Sequence, residues 1–308
     1  MVRFVLMLLA GLACHTVQAA IDMDTAARIY EAAAVREQVR ASLPAMPARI
    51  RDMFKAEAPQ PLTDAQLKAI QDAAERGFRI DVFEPSAIAA LAANMDENTA
   101  RKVLKFLASD LGVRMVAGDK ALAQLDEATI DKVMSGDLKP QGSPARDALF
   151  EKLSKASRST ESTVQIFTSM GRAVAIGTAI GTGADPAAVE ERSRKAAEAT
   201  RKDLENGMRE PLQRYMAYGY RDLGDADLKK LLSFLESKAG SSYVTAYTTA
   251  MGAGFDSMGK RCGEQLGGTL RELAVAQAQA RSSMPAESTD RPAPPSAPAN
   301  PPSPAAPH

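Results

Sequence analysis

The chain has 308 residues, with 38 basic and 38 acidic side chains, two cysteines, two histidines and no tryptophan. A chain of this length can bury a sizeable core. Because the charges balance, the composition gives no reason to expect nucleic acid or an anionic lipid surface as the partner.

The first residues have the composition of an export signal. Arg3 provides a positive start, residues 4–13 are apolar, and residues 17–19 (Val-Gln-Ala) match a small-residue cleavage site. We therefore predict that residues 1–20 are a signal peptide and that the mature protein is periplasmic or secreted in a bacterium. The alternative is a lipoprotein anchored through Cys14, but the residues before this cysteine match a lipobox less well.

Loss of this segment would remove His15 and Cys14, leaving His308 and Cys262 as the only histidine and cysteine. A Ser-His-Asp or Cys-His catalytic arrangement needs a positioned imidazole, and a zinc site needs several such ligands. The sequence also lacks a phosphate-binding GxxxxGK[ST] loop. We therefore expect no metal, no cofactor and no internal disulfide, so that any catalysis would depend on carboxylate, lysine, tyrosine or serine side chains.

Sequence signals for helices follow one another from residue 24 onwards, and the alternating apolar and polar pattern of a strand is absent. Successive helices are predicted over residues 24–42, 48–58, 64–79 (capped by Thr63), a short stretch opened by Pro85, and 97–111 (capped by Asp96 and stopped by Gly112).

Helix-breaking residues around Pro140 and Pro144 suggest a boundary, so we predict an N-terminal half over residues 21–140 and a C-terminal half over residues 141–282. The second half begins a charged helix at Pro186, and Pro211 opens the next. Residues 283–308 are rich in Pro and Ala, so a disordered tail is predicted.

A segment occurs twice in the chain. Residues 102–112 (KVLKFLASDLG) recur as residues 230–240 (KLLSFLESKAG), and each copy follows a Glu-Pro pair at nearly the same spacing. We interpret this as an internal duplication, which predicts an all-α protein of two related multi-helix halves. A functional site, if there is one, is expected between the halves.

The Phe-Leu-x-Ser-x-x-Gly pattern of Phe234, Ser237 and Gly240, with Leu232 before it, resembles domain-of-unknown-function family 2059. This family consists of small helical domains of exported bacterial proteins. The copy that ends at Gly112 fits the pattern nearly as well. The resemblance implies a helical fold and a periplasmic setting, and it implies no activity.

Two pairs of equivalent residues are candidates for chemistry. Ser109 and Ser237 would need a base to act as nucleophiles, so hydroxyls that satisfy the last carbonyls of a helix are the better interpretation. Glu84 and Glu210 are weak catalytic candidates, because two facing carboxylates can hydrolyse a glycan. An acid next to Pro at a helix start, where the helix dipole favours a negative charge, is the better interpretation.

The last helix carries the clearest apolar stripe. Its members recur every three or four residues: Tyr243, Tyr247, Met251, Phe255, Met258, Cys262, Leu266, Leu270 and Leu273. Cys262 is therefore expected to be a buried small hydrophobe, with an interchain disulfide as the alternative.

Beside this stripe lie Gly259, Gly263 and Gly267, and a similar row of Ala173, Gly177 and Gly181 lies earlier in the chain. Since glycine weakens a helix by about 1 kcal/mol relative to Ala, close helix packing should compensate, within one chain or between two in a homodimer. Nearby charges count against packing within a membrane.

Together these features predict an exported helical protein that is a non-enzymatic binding or interaction module. Its partner would be an envelope protein, a lipid or a glycan. The alternatives are a carboxylate-dependent envelope enzyme acting on glycan, or a structural protein associated with the outer membrane.

Overall fold

The computed structural model describes residues 20–58, 60–139 and 142–283, and within these ranges the chain forms helices and no β-strand. The all-α prediction and the long C-terminal helix are therefore confirmed. Most of the predicted signal peptide and of the predicted tail lies outside these ranges. In chain order the helices are α1 (Met23–Ala32), α2 (Val35–Ser42), α3 (Met46–Glu57), α4 (Asp64–Gly77), α5 (Ile80–Ala93), α6 (Glu97–Leu107), α7 (Asp110–Ala123), α8 (Glu127–Ser135), α9 (Pro144–Ala156), α10 (Ser159–Thr182), α11 (Pro186–Gly219), α12 (Asp225–Glu236) and α13 (Lys238–Ser283).

Two helix starts match their sequence signals. The Thr63 side chain accepts a hydrogen bond from the Gln66 N–H while Gln66 reaches back to the Thr63 N–H, which forms a capping box at α4. Asp96 accepts the N–H of Thr99 at 2.9 Å and so caps α6. Each cap satisfies donors that the first helical turn leaves free.

Proline misled the prediction of two other starts. Pro85 lies inside α5, which begins at Ile80, and Pro211 lies inside α11, which runs unbroken from Pro186 to Gly219. An interior proline costs a helix about 3 kcal/mol or more because it removes one hydrogen bond and crowds the preceding turn. In α5 this loss is offset by the core contacts of the neighbouring Phe83, which is fully buried.

The helix predicted over residues 97–111 is also shorter than expected. It ends at Leu107, and Gly112 is the third residue of α7 instead of a helix stop. Ser109 explains the difference, because its hydroxyl donates to the Phe106 carbonyl at 2.6 Å and accepts the Gly112 N–H at 3.2 Å. One side chain thus satisfies the end of α6 and caps the start of α7.

The first predicted helix, over residues 24–42, is likewise divided. It breaks into α1 and α2 where Ala34 adopts a left-handed backbone conformation, with φ of 51°.

The second copy of the motif has the same local geometry as the first. The Ser237 hydroxyl donates to the Phe234 carbonyl at 2.6 Å and accepts the Gly240 N–H at 3.1 Å, between α12 and α13. The two motifs also meet, because the Phe106 and Phe234 rings stack with centroids 3.7 Å apart and planes 4° from parallel. The internal duplication stays a prediction, since α7 has 14 residues and its counterpart α13 has 46.

The main core joins the first helices of the described chain to its last helix. Buried side chains of α1, α2, α4, α5 and α6 pack around α13, which contributes Tyr243, Ala246, Ala250, Met258, Cys262 and Leu266. A smaller cluster contains Phe150, Leu153, Leu223, Leu228 and Leu231. The residues on the two sides of the predicted boundary therefore share one core, and the boundary itself falls at residues 140–141, outside the described ranges.

The two glycine rows pack against each other within the chain. A Cβ atom on Gly267 would lie 2.6 Å from the Cα atom of Gly181, and one on Gly263 would lie 2.7 Å from the Thr178 nitrogen. The close approach that glycine permits thus joins α10 to α13, which run parallel. The face formed by Gly259, Gly263 and Gly267 is therefore covered by α10.

Cys262 is fully buried, as predicted, and burial raises the pKa of its thiol to about 12. A disulfide between two chains would require α13 to leave α4, because the Cys262 backbone lies against Gly77. A homodimer through Cys262 or through the glycine face stays a prediction. No helix within the described ranges is both long and apolar enough to cross a membrane.

Candidate binding cavity

A cavity is lined by residues from two segments of the chain, 33–123 and 153–255. It consists of two adjoining spaces with volumes of about 360 Å³ and 380 Å³, which we call together the inter-segment cavity. Helices α2 and α7 line it from the first segment, and helices α9 to α13 line it from the second. The two spaces share the residues Gln38, Asp119, Ser159, Thr163, Met216, Tyr220 and Met251.

The wall is mostly apolar, and it includes flexible methionine side chains. Three methionines from three different helices line it, together with aliphatic and aromatic side chains: Met115, Val116, Leu153, Ile166, Met216, Val244, Met251 and Phe255. Unbranched thioether side chains fill irregular gaps and adapt to the shape of a bound molecule. The cavity reaches solvent beside Ser42, which is exposed.

Residues at equal distances along the chain from Ser109 and Ser237 line the cavity from α7 and α13. Asp119 lies ten residues after Ser109, and Tyr247 lies ten residues after Ser237. The shift along the chain that relates Asp119 to Tyr247 also relates Met115 to Tyr243, Val116 to Val244 and Ala123 to Met251. All of these residues line the cavity. Corresponding faces of the two helices after the repeated motif therefore form opposite parts of one lining.

Within the part of the chain that the structure describes, Asp119 is the only Asp, Glu, Lys, Arg or His that lines the inter-segment cavity. Its carboxylate accepts a hydrogen bond from the Tyr220 hydroxyl at 2.8 Å. Burial raises the pKa of Asp119 to about 7, and the Tyr220 hydrogen bond opposes this rise only in part. The side chain keeps some exposure because it faces the cavity, yet the surrounding protein removes most of the water that would stabilise its charge.

Four tyrosines line the cavity that contains this carboxyl group. Burial is the main cause of a raised pKa in Tyr215, Tyr220, Tyr243 and Tyr247, and the negative charge of Asp119 raises each of them further. The Tyr243 and Tyr247 ring centroids are 5.8 Å apart. Asp119 therefore shares the cavity with four phenol groups, one of which is its hydrogen-bond partner.

The tyrosine hydroxyls differ in their partners. Tyr215 donates to the Leu122 carbonyl at 2.9 Å, and Tyr220 donates to Asp119. The hydroxyls of Tyr243 and Tyr247 make no hydrogen bond to any residue that the structure describes. Both residues line the cavity, so their hydroxyl groups are free to contact a bound molecule.

The structure does not bring the two glutamates of the sequence prediction into one site. Glu84 in α5 forms an ion pair with Arg36 of α2, with Arg36 Nε 3.0 Å from the carboxylate. Glu210 in α11 pairs with Arg214 one turn later, and its side chain is 74% exposed. The two acids have different partners, and neither lines the inter-segment cavity. The hydroxyls of Ser109 and Ser237 are engaged in the helix caps.

Sequence reasoning assigned Tyr243 and Tyr247 to the apolar stripe of the last helix and missed Asp119. One signal was present: Asp119 occupies a helix face that otherwise carries Met115, Val116 and Leu122. An acid within an apolar face is an unusual placement, because carboxylates are rarely buried without a partner.

A second apolar groove of about 540 Å³ lies between α3 and α10. Met53 and Phe167 line it and remain 41% and 51% exposed. Its lining includes no cluster of polar groups comparable to Asp119 and the tyrosines, so it offers less basis for recognising a particular molecule.

Comparison of the chain with protein-family models, with curated proteins and with solved structures gave no match. The resemblance to domain-of-unknown-function family 2059 therefore stays a prediction based on the motif residues. The function has to be inferred from the chemistry of the cavity itself.

Proposed function

We propose that the protein is a non-enzymatic binding module that holds one small, largely apolar molecule in the inter-segment cavity. The observation that carries this proposal is a mostly apolar cavity wall that also has one carboxyl group and several hydroxyl groups. Ligand sites in proteins have a mostly apolar lining with some polar groups, and volumes of roughly 300–1,000 Å³. The two spaces of the cavity, about 360 Å³ and 380 Å³, each fall within that range.

The packing around the cavity supports the proposal. Protein interiors are close-packed and leave few voids larger than a water molecule. The surrounding core follows this rule, since Leu153, Leu231 and Ala246 are at most 1% exposed. A space of several hundred Å³ beside such a core would be filled by larger side chains if it served stability alone.

We also propose that this binding takes place outside the cytoplasm, which is supported by the composition of residues 1–20. The intact mass of the mature protein tests this part. A chain that starts at Ala20 or Ile21 supports export of a free protein, whereas a lipid-modified Cys14 supports the anchored alternative. An unprocessed chain recovered from cells that export a control protein would contradict export.

A fluorescent apolar probe, 1-N-phenylnaphthylamine, tests the binding proposal on the full mature chain. Its fluorescence is expected to rise in a saturable manner when it enters the cavity. Thr163 lines both spaces of the cavity, so Thr163→Phe should fill their junction and weaken binding at least tenfold. Gln165→Phe adds the same ring at an exposed position of the same helix and should bind as the unmodified protein does.

Thermal unfolding followed by circular dichroism shows whether both variants fold. The absence of saturable binding to the unmodified protein would contradict the proposal. Equal binding by a folded Thr163→Phe variant would also contradict it, because the probe would then occupy another surface, such as the groove between α3 and α10.

A further inference from the structure

We infer that the molecule held in the inter-segment cavity is an organic cation, an amine or quaternary ammonium compound with an apolar body. Its charged group would lie between the Asp119 carboxylate and the tyrosine rings. This inference rests on the proposed function, because it requires that the cavity binds a ligand. It adds the sign of the charge and the part of the cavity that recognises it.

The first basis is that Asp119 has no cationic partner among the residues that the structure describes. Ion pairs elsewhere in the described residues match acids to Arg or Lys, as Arg114 does for Asp227 at 2.8 Å. Asp119 is in none of these pairs, and its hydrogen bond comes from the neutral Tyr220 hydroxyl. A buried carboxylate is costly unless a positive charge compensates it. A bound cation would supply this charge at the place where the protein supplies none.

The second basis is the aromatic content of the cavity that contains the carboxyl group. Five aromatic side chains line it: Tyr215, Tyr220, Tyr243, Tyr247 and Phe255. Aromatic faces attract ammonium groups, and proteins recognise quaternary ammonium compounds with aromatic side chains. The attraction is stronger in a desolvated site than on an exposed surface.

The third basis is the composition of the cavity lining. Hydroxyl groups such as those of Ser162 and Thr163 are interspersed with apolar side chains such as Val116 and Met251, and Asp119 is the charged group among the described lining residues. An anionic ligand would face repulsion from Asp119, and a fully polar one would lose hydration against the apolar part of the wall. A cationic head on an apolar body suits both the carboxylate and the apolar side chains.

Two probes of matched shape separate charge from size. Benzyltrimethylammonium and 2,2-dimethylpropylbenzene differ only in a positively charged nitrogen in place of a carbon. Competition of each probe with 1-N-phenylnaphthylamine for the full mature chain gives their relative affinities. We expect the cation to bind at least tenfold more tightly than its neutral counterpart at pH 8, where Asp119 is ionised.

Asp119→Asn should reduce this preference to less than threefold and leave the affinity of the neutral probe unchanged. Asp110→Asn is the matched control, since it removes an exposed carboxylate from the same helix and should keep the full preference. Retained binding of the neutral probe shows that Asp119→Asn has folded with its cavity intact. Tyr247→Leu provides a second variant that keeps the carboxylate and should lower the affinity of the cation several-fold.

Equal affinities of the two probes for the unmodified protein would overturn the inference while leaving the binding proposal intact. Failure of both probes, together with failure of 1-N-phenylnaphthylamine to bind, would remove the binding proposal itself. A full preference in Asp119→Asn would also overturn the inference. If Asp119→Asn binds neither probe, the Tyr247→Leu variant decides, and an unchanged cation preference in that variant would count as refutation.

Discussion

Replacement of Asp119 by Asn should change how the stability of the protein depends on pH. In the folded protein the pKa of this carboxyl group is about 7, against an ordinary value of 3.8. The other titratable groups that share the cavity are the phenols of Tyr215, Tyr220, Tyr243 and Tyr247, which all stay neutral in this pH range because their pKa values are raised. Asparagine fills the same volume and can still accept the Tyr220 hydrogen bond, but it does not ionise.

The sign follows from proton binding. Between pH 3.8 and about 7 the folded protein holds the Asp119 proton while the unfolded chain has lost it. The stability that this group contributes is therefore fully present below the unfolded pKa and is lost as the pH rises through the folded pKa. At 1.36 kcal/mol for each pH unit, the loss amounts to about 4 kcal/mol for a fully enclosed group. The cavity is open to solvent beside Ser42, so the measured loss should lie at or below this value.

Urea unfolding of the unmodified protein and of Asp119→Asn, from about pH 4 to about pH 8, measures the effect as a difference in free energy of unfolding. Carboxylates with a lowered pKa, such as Asp22 and Asp96, act in the opposite direction but cancel in this difference. The variant should gain at least about 2 kcal/mol relative to the unmodified protein as the pH rises. Asp110→Asn, which removes an exposed carboxylate from the same helix, is the matched control. If the difference in free energy of unfolding for Asp119→Asn does not change with pH, the raised pKa of a buried, unpaired Asp119 carboxyl group is refuted.

Three further predictions concern packing. Gly263→Ala should destabilise the protein by about 1–3 kcal/mol in urea unfolding, because the new methyl group would meet the backbone of α10. Gly252→Ala should instead stabilise it, because a Cβ atom at this position would meet no other part of the described chain within 4 Å. The opposite order of the two stabilities would contradict the close packing of α10 and α13. A double-mutant cycle with Phe106→Leu and Phe234→Leu should give a coupling of about 0.5–1.5 kcal/mol, whereas a value near zero would argue against the stacked pair. The Cys262 thiol should resist a thiol reagent until urea unfolds the chain, and rapid labelling of the native protein would show that it is accessible.

The helical class and several helix starts could be predicted because local chemistry decides them. The Thr63 capping box and the Asp96 cap need only residues three positions away, and such patterns are visible in the sequence. Local signals failed where packing outweighed them. Pro85 and Pro211 mark helix starts in isolation, yet both lie inside helices whose other residues continue the hydrogen-bonding pattern.

The duplicated segment led us to expect a site between the two halves, and the inter-segment cavity has residues from both ranges. The sequence did not show which side chains would line a cavity there. Its polar centre depends on the hydrogen bond from Tyr220 to Asp119, which joins residues 101 positions apart. No local pattern reports such a contact, because it depends on how α7 and α11 pack. The same limit applies to Glu84, whose partner Arg36 comes from another helix.

The repeated Phe-Leu-x-Ser-x-x-Gly segment gains a more specific role from these contacts. In each copy the serine ends one helix and caps the next, and the glycine allows the new helix to begin against the phenylalanine carbonyl. The stacked phenylalanines then hold the two corners together. Because α7 and α13 both leave from these corners, positions ten residues after each serine meet at the same cavity as Asp119 and Tyr247. The motif has no reactive group of its own, yet it fixes the relative placement of the carboxyl group and the aromatic ring on which we expect a cationic ligand to bind.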